Sequence, residues 1–349
     1  MTNKIFPCVI GLGYVGLPVF VRLNKKYKTV GFDTSLSRTT FLKKKKDLNN
    51  EINPKDLHLF NGSKITSNPE NIKECNIYII TVPTPLKNKH IPDLKCLEQA
   101  YQSISKFLKK NDIVVVESTV YPGASKELAK KVLEKKTKLK SGKDFYLAYS
   151  PERINPGDKN HQIQNTEKIL AIETNNIYIK NKILKIYKSI TSKLKISNSI
   201  EEAETAKVIE NIQRDLNIGL MNEVYKVCVN SKINFSNVIK LASTKWNFLK
   251  FDPGLVGGHC LPVDPYYFSN FAEKKGIKTE VILSGRKINN SMYLYMYNKI
   301  IKDIKNLKLN IKKSRILVLG LTYKKNVSDI RNSFALKLYR LLKKKIKYL

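Results

Sequence analysis

Residues 5–16 read Ile5-Phe6-Pro7-Cys8-Val9-Ile10-Gly11-Leu12-Gly13-Tyr14-Val15-Gly16, an apolar run that breaks into glycines spaced as G-x-G-x-x-G. The run predicts a buried strand. The glycines predict a tight turn in which the backbone approaches a dinucleotide pyrophosphate with no Cβ in the way. Residues 14–24 then read as a helix, and Thr29-Val30-Gly31-Phe32-Asp33 as a second strand ending in an acid. Asp33 lies 17 residues past Gly16, about where a dinucleotide fold places the carboxylate that holds the ribose hydroxyls. That acid favours NAD over NADP, although Arg38 is of a type that accepts a 2′-phosphate.

Further strands are predicted over 76–82, 112–118 and 144–149, apolar throughout as a parallel sheet covered on both faces requires. Each ends in a polar turn. Thr81-Val82-Pro83-Thr84-Pro85, Glu117-Ser118-Thr119-Val120-Tyr121-Pro122-Gly123 and Ser150-Pro151-Glu152-Arg153-Ile154-Asn155-Pro156-Gly157-Asp158-Lys159 thus fall at the carboxyl edge of the sheet, where open α/β folds bind ligands. Thr84 and Thr119 there either contact a ligand or cap the helices that follow, and the pattern fits both. Residues 200–229 predict one long amphipathic helix, interrupted only by Gly219. Lys207, Asn211 and Arg214 share a face of it, which is either a solvent face or a ligand face.

Composition narrows the class. The chain of 349 residues is long enough for two domains and part of a third, each with its own core. Its formal charge of +35 is mostly lysine, with eight arginines, and is spread over every segment. No basic-and-aromatic module stands out, so nucleic-acid binding is not expected; a general positive field instead favours anionic ligands such as nucleotide sugars. The five cysteines, Cys8, Cys75, Cys96, Cys228 and Cys260, lack CxxC or Cys/His spacing, which argues against disulfides and metal and for a reducing, cytoplasmic setting. No apolar run reaches the ~18 residues of a membrane span.

Cys260 differs from the other four, which lie in apolar strand-like or helix-like surroundings. Its segment is Asp252-Pro-Gly-Leu-Val-Gly257-Gly258-His259-Cys260-Leu-Pro-Val-Asp264. Two glycines let backbone and substrate approach the thiol, and Asp264 is placed to hold a water or accept a proton as a bond to sulfur forms and breaks. A hydride acceptor and a nucleophilic thiol in one chain imply an oxidation through a covalent sulfur intermediate. A mostly helical segment to about residue 304 carries this loop, after which 315–321 predict a new strand and 333–345 a helix.

Taken together, Gly-Leu-Gly-Tyr-Val-Gly, Val-Pro-Thr-Pro, Glu-Ser-Thr-Val-Tyr-Pro-Gly, the Ser-Pro-Glu-Arg-Ile-Asn-Pro-Gly-Asp-Lys loop, Lys207-Val-Ile-Glu-Asn211, Gly-Gly-His-Cys and Asp329-Ile-Arg-Asn resemble the UDP-glucose/GDP-mannose dehydrogenase family over essentially the whole chain. Within it, the Glu152 loop, Gln213-Arg214-Asp215 and Gly-Gly-His-Cys are most similar to the branch, of the Vi-antigen type, that oxidises UDP-N-acetylhexosamines for surface polysaccharides. UDP-glucose dehydrogenases carry a second glutamate where this chain has Pro156, which argues against glucose.

The resemblance implies an α/β architecture: a Rossmann-like NAD domain over 1–199, a long linking helix and central helical dimerisation domain over 200–304, and the incomplete start of a second Rossmann-like, UDP-binding domain over 305–349. It also implies a homodimer. By resemblance Cys260 is the nucleophile, Lys207 and Asn211 stabilise the oxyanion, Asp264 and Thr119 position water or relay protons, and Glu152 is the general base. Gly11, Gly13, Tyr14, Val15, Gly16, Asp33, Arg38, Thr84, Thr119 and Arg331 hold NAD. Arg153, Ile154, Lys207, Asn211, Arg214, Gly258, Tyr323 and Lys324 contact the UDP-sugar, while His259 shapes the loop. Family members continue past residue 349, so a form that binds NAD without turnover is one expectation; an inactive remnant is the alternative to a working enzyme. A two-electron hydroxyacid-type dehydrogenase is a further alternative, and Cys260, which such chemistry does not need, counts against it.

Overall fold

The computed structural model describes residues 4–49, 52, 54–59, 64–153, 163–324 and 329–348, which gather into two compact units, Met1–Val208 and Ile209–Leu349.

The first unit is built on eight described strands. β1 (Pro7–Ile10) leads through the glycine turn into α1 (Gly16–Asn24), then come β2 (Val30–Phe32), α2 (Leu36–Lys43), β3 (Lys64–Thr66), β4 (Ile77–Ile80), α3 (Lys95–Ser105) and β5 (Ile113–Val116). After β5, α4 (Ala124–Leu128) and α5 (Lys135–Thr137) flank a wider π turn, and β6 (Tyr146–Tyr149), β7 (Lys168–Ile172), α6 (Ile177–Ile190) and β8 (Leu194–Ser197) complete the sheet. The spatial order is β3-β2-β1-β4-β5-β6-β7-β8. Every pairing is parallel except β6 with β7.

Strand alternation divides the core. Cys8, Ile10, Tyr78, Ile80, Val114 and Val116 point into one apolar layer, and Val9, Ile77, Ile79, Ile113 and Val115 into the other. Side chains with a period of two therefore fill both faces, which is why each strand reads as an unbroken apolar run. The predicted strands at 29–33, 76–82, 112–118 and 144–149 all form, shorter by one to two residues at their polar ends.

The long helix, α7 (Ile200–Asn230), runs from the first unit into the second. The first unit extends beyond residue 199 because the opening turns of α7 are bound to it. Ile200 and Ala203 join the core beneath the sheet, and the buried carboxylate of Glu204 accepts the N–H groups of Gly123 (2.5 Å) and Ser125 (3.1 Å) at the start of α4. The second unit holds α8 (Phe235–Ala242), α9 (Asp264–Glu273), α10 (Glu280–Asn306) and α11 (Phe334–Lys343). Where α7 crosses α10 the backbones approach closely: a Cβ on Gly285 would lie 2.4 Å from Leu216 Cδ2 and displace that side chain, and one on Gly219 would lie 3.2 Å from Gly285 O, a tight contact.

One expectation fails. Residues 315–321 do not form a strand: Arg315 makes a single bridge with Tyr348, and Leu317 and Leu319 are 81% and 85% exposed. An apolar alternation becomes a strand only beside a neighbour that takes its N–H and C=O groups, and among the described residues no further strand lies beside this one.

Candidate active site

The cofactor edge forms in the first unit as the spacing implies. Gly11, at φ +90°, donates its N–H to Phe32 O (2.8 Å) and accepts the Thr81 hydroxyl (2.6 Å). A Cβ on Gly16 would sit 1.8 Å from Gly11 O and 2.3 Å from Thr81 Oγ1, whereas one on Gly13 would meet nothing within 4 Å. Gly16 thus lets α1 close on the turn, and Gly13 leaves the turn's outer side open for a pyrophosphate at the helix N-terminus. Tyr14 and Val15 complete the turn, half-buried.

Asp33 and Arg38 both grip this turn. Asp33 accepts the N–H groups of Leu12 and Ser35, each at 2.8 Å. Arg38 donates its Nε–H to Leu12 O (2.8 Å) and pairs through Nη1 with the buried Asp47 (2.7 Å). The arginine charge is thereby matched inside the protein, which weakens the case for a 2′-phosphate there. Neither Thr84 nor Thr119 caps a helix: α3 and α4 start from Leu94 and Gly123. Thr84 instead donates its hydroxyl to Thr119 O (2.7 Å), which ties together two turns of the edge. The open glycine turn, the helix end and the Asp33 carboxylate fit a dinucleotide.

Glu152 and Arg153 lie at the same edge, beyond β6. Glu152 is buried; its Oε1 accepts the Arg153 N–H (2.6 Å) and its Oε2 accepts the Lys168 ammonium (2.6 Å). Lys168 also donates to Glu117 (3.0 Å), whose other oxygen accepts the Tyr187 hydroxyl (2.6 Å). Burial pushes the Glu117 carboxyl up against the opposing pull of Lys168. The Lys168 ammonium is held above its ordinary range because Glu117 and Glu152 outweigh its desolvation. Ile154 falls outside the described residues. Lys207 is buried on α7 one turn beyond Glu204, whose carboxyl burial raises to about 7 against the N–H groups it accepts.

The thiol loop belongs to the second unit. Of the five cysteines Cys260 is exposed, Cys96 is partly so, and Cys8, Cys75 and Cys228 are buried. The Cys260 carbonyl accepts the N–H groups of Val263 and Asp264, both at 2.9 Å, so the loop ends directly in α9. Asp264, the first residue of that helix, is buried where the helix dipole favours a carboxylate, and it accepts the Asn211 amide (2.5 Å). Arg214, one turn further along α7, is exposed.

The two glycines before the thiol serve a neighbour in the chain as well. A Cβ on Gly257 would lie 2.7 Å from Asn332 O, and one on Gly258 (φ +95°) 2.9 Å from the Tyr323 ring. Asn332 donates to Gly258 O (3.2 Å), and His259 meets Asp329 at 2.6 Å and Tyr323 edge-on. Arg331 also grips Asp329 (2.7 Å). Burial favours the neutral Asp329 carboxyl, but Arg331 and His259 prevail and hold it well below the usual carboxylate range. Lys324, half-buried, accepts the Thr322 hydroxyl on its carbonyl (2.8 Å).

A second buried network, which the sequence did not flag, braces this loop. Asn222 on α7 holds both the N–H and the C=O of Gly254 (2.8 and 3.0 Å) and donates to Asn289 (2.8 Å). Asn289 donates to Asp215, and Arg286 joins Asp215 (2.5 Å) to Leu261 O (3.4 Å) beside the thiol. Burial lifts the Asp215 carboxyl to about 6 even against Arg286.

Comparison with known proteins agrees with this chemistry. Residues 5–191 match the NAD binding domain of the UDP-glucose/GDP-mannose dehydrogenase family, and 201–291 match its central domain. A UDP-N-acetyl-D-glucosamine 6-dehydrogenase of Pseudomonas aeruginosa is 44% identical over 93% of this chain and 77% of its own length. Protein CapL of Staphylococcus aureus is 45% identical over 93% and 76%. The solved UDP-D-ManNAc dehydrogenase of Pyrococcus horikoshii superposes with a TM-score of 0.89 at 31% identity, covering 99% of this chain and 82% of that one. An open glycine turn for NAD and an exposed thiol at a helix start thus occur in a chain that belongs to the UDP-glucose/GDP-mannose dehydrogenase family and is an NAD-dependent nucleotide-sugar dehydrogenase.

Proposed function

We propose that the chain oxidises the C6 hydroxyl of a UDP-N-acetylhexosamine to the carboxylate, for a surface polysaccharide, through a thiohemiacetal and a thioester on Cys260. The observation that carries this reading is the exposed Cys260 at the head of α9, with Asp264 and Asn211 hydrogen-bonded behind it. The substrate class rests on relatives named UDP-N-acetyl-D-glucosamine 6-dehydrogenase at 44% identity.

NAD supplies the hydride acceptor, held by Gly11, Gly13, Tyr14, Val15, Gly16, Asp33, Arg38, Thr84 and Thr119, with Arg331 reaching it. In the first oxidation C6 loses a hydride and its hydroxyl loses a proton, leaving the aldehyde. The Cys260 sulfur then adds to that carbon, and the oxygen takes up a proton as the C–S bond forms. A second hydride leaves the thiohemiacetal carbon as its hydroxyl loses a proton, which gives the thioester. Water attacks its carbonyl, the C–S bond breaks, and the thiolate departs as the acid forms. The sum is two NADH, one carboxylate and three protons per sugar. Lys207, assisted by Asn211, neutralises the oxygen that becomes negative at each stage. Glu152 takes the proton of the hydrolytic water, with Asp264 and Thr119 orienting water and relaying protons. Arg153, Ile154, Lys207, Asn211, Arg214 and Gly258 contact the sugar nucleotide. Tyr323 and Lys324 do so from residues 305–349, which act as a UDP-binding part.

The test is stoichiometric. With UDP-N-acetylglucosamine and excess NAD, two NADH and one uronic acid per sugar are expected. One NADH with free aldehyde would remove the thioester from the scheme.

A further inference from the structure

β6 and β7 pair antiparallel, Ala148 with Ile172 and Tyr149 with Ala171. The same register carried four residues along sets Glu152 opposite Lys168. Because β7, with β8 parallel beside it, runs against β1–β6, its first residue lies at the edge where β5 and β6 end, and Lys168 stands between Glu117 and Glu152. All three side chains are at least nine-tenths buried: 0% exposed for Lys168 and Glu117, 7% for Glu152. Tyr187 from α6 completes the cluster on Glu117, and the Arg153 N–H completes it on Glu152.

A cation between two carboxylates, taken out of water, is a poor route to stability, because apolar side chains of similar volume do as well or better. Its yield here is geometric. Glu117 begins the turn that holds Thr119, and Glu152 begins the one that holds Arg153, so one ammonium fixes both turns.

We propose that Lys168 is a positioning residue for the reaction: bridging Glu117 and Glu152, it holds Glu152 as a fixed carboxylate and locks the Thr119 turn to the Glu152–Arg153 turn. This rests on the assignment of Glu152 as the base for the hydrolytic water. The ammonium gives that carboxylate a charge-assisted partner at 2.6 Å that fixes its position. In K168M two buried carboxylates share the site without a cation, and desolvation and like-charge repulsion favour protonation there against the hydrogen bond that Tyr187 donates to Glu117.

The experiment compares K168M, K168R, E152Q and K168M/E152Q in the full chain. K168M should lower kcat about 100-fold and move the acidic limb of the kcat–pH profile up by about one unit, with NAD affinity within about 3-fold. K168R should restore kcat to within about 10-fold, since a guanidinium can bridge the same carboxylates. K168M/E152Q should match E152Q within about 3-fold, because Lys168 acts through Glu152. An acidic limb that stays in place in K168M, or losses that multiply in the double variant, would overturn the proposal. Should K168M fail to fold, the comparison of E152Q with the double variant decides alone.

A turnover-independent arm separates this proposal from the scheme it rests on. If the unmodified chain makes only one NADH per sugar, the hydrolytic role of Glu152 falls, and the bridge is judged by Tm against pH. Carboxyl groups raised by loss of their cation favour folding at low pH and oppose it as pH rises. K168M should therefore lose Tm relative to the unmodified chain between about pH 5 and pH 8, and K168M/E152Q should lose less. Parallel Tm curves for K168M and the unmodified chain would show that no such bridge exists.

Discussion

Replacing the sulfur of Cys260 by oxygen changes little in size and much in reactivity. A serine hydroxyl is a far weaker nucleophile at neutral pH, so Cys260→Ser should lower turnover by about three orders of magnitude or more while NAD still binds. Steady-state rates together with NAD titration check this, and a rate above about a tenth of the original would make the thiol structural. Cys260 was legible because glycines, a lone thiol and a carboxylate four residues on form a pattern that packing alone does not demand. Lys168 was not. A lysine at the head of an apolar strand reads as an end residue facing water, and only the antiparallel partner, unknowable from local sequence, turns it inward. The dual use of Gly257 and Gly258 was hidden for a similar reason, since Asn332 and Tyr323 lie more than 60 residues away in sequence.

Among the elements, the β1–α1 turn tolerates least. A methyl group on Gly16 has no place beside Gly11 O and Thr81 Oγ1. Gly16→Ala should therefore force the turn open, cost about 1–3 kcal/mol of stability and weaken NAD binding at least tenfold. Thermal melts with and without NAD check both effects; an unchanged NAD-induced rise in Tm would mean that the turn does not carry the pyrophosphate. This element was readable because its constraint is local, three glycines and a strand. The predicted strand at 315–321 failed because its constraint is not local: alternation of apolar residues specifies a strand only in company. β7, α6 and β8 were not legible because the sequence after β6 turns polar, and the apolar runs beyond it carry no mark of their direction.

At the scale of the whole molecule, we propose the homodimer that the central helices suggest. In the second unit Leu220, Val227, Leu241, Trp246 and Leu249 are exposed, and Trp246, the single tryptophan, is 92% exposed. If a second copy covers these side chains, Trp246 emission should shift to the red on dilution, in step with a fall in mass by light scattering. Emission independent of concentration at constant monomer mass would reject the dimer. The order of the NAD binding and central parts was legible, since motif order survives without any contact being known; the division between them was less so, because α7 begins in one compact unit and ends in the other. The reversal at β6–β7 has one more consequence. A hairpin free to slide could pair in several registers, and a slip by one residue turns every side chain to the opposite face. Lys168 is flanked by Glu167 and Ile169. A slip by one residue would bring an acid or an aliphatic group to Glu117 and Glu152 in place of the cation, at a cost of about 3–5 kcal/mol for unpaired buried charge. On that ground the lysine favours one alignment of β6 and β7 over its neighbours, a selection that K168M would lose.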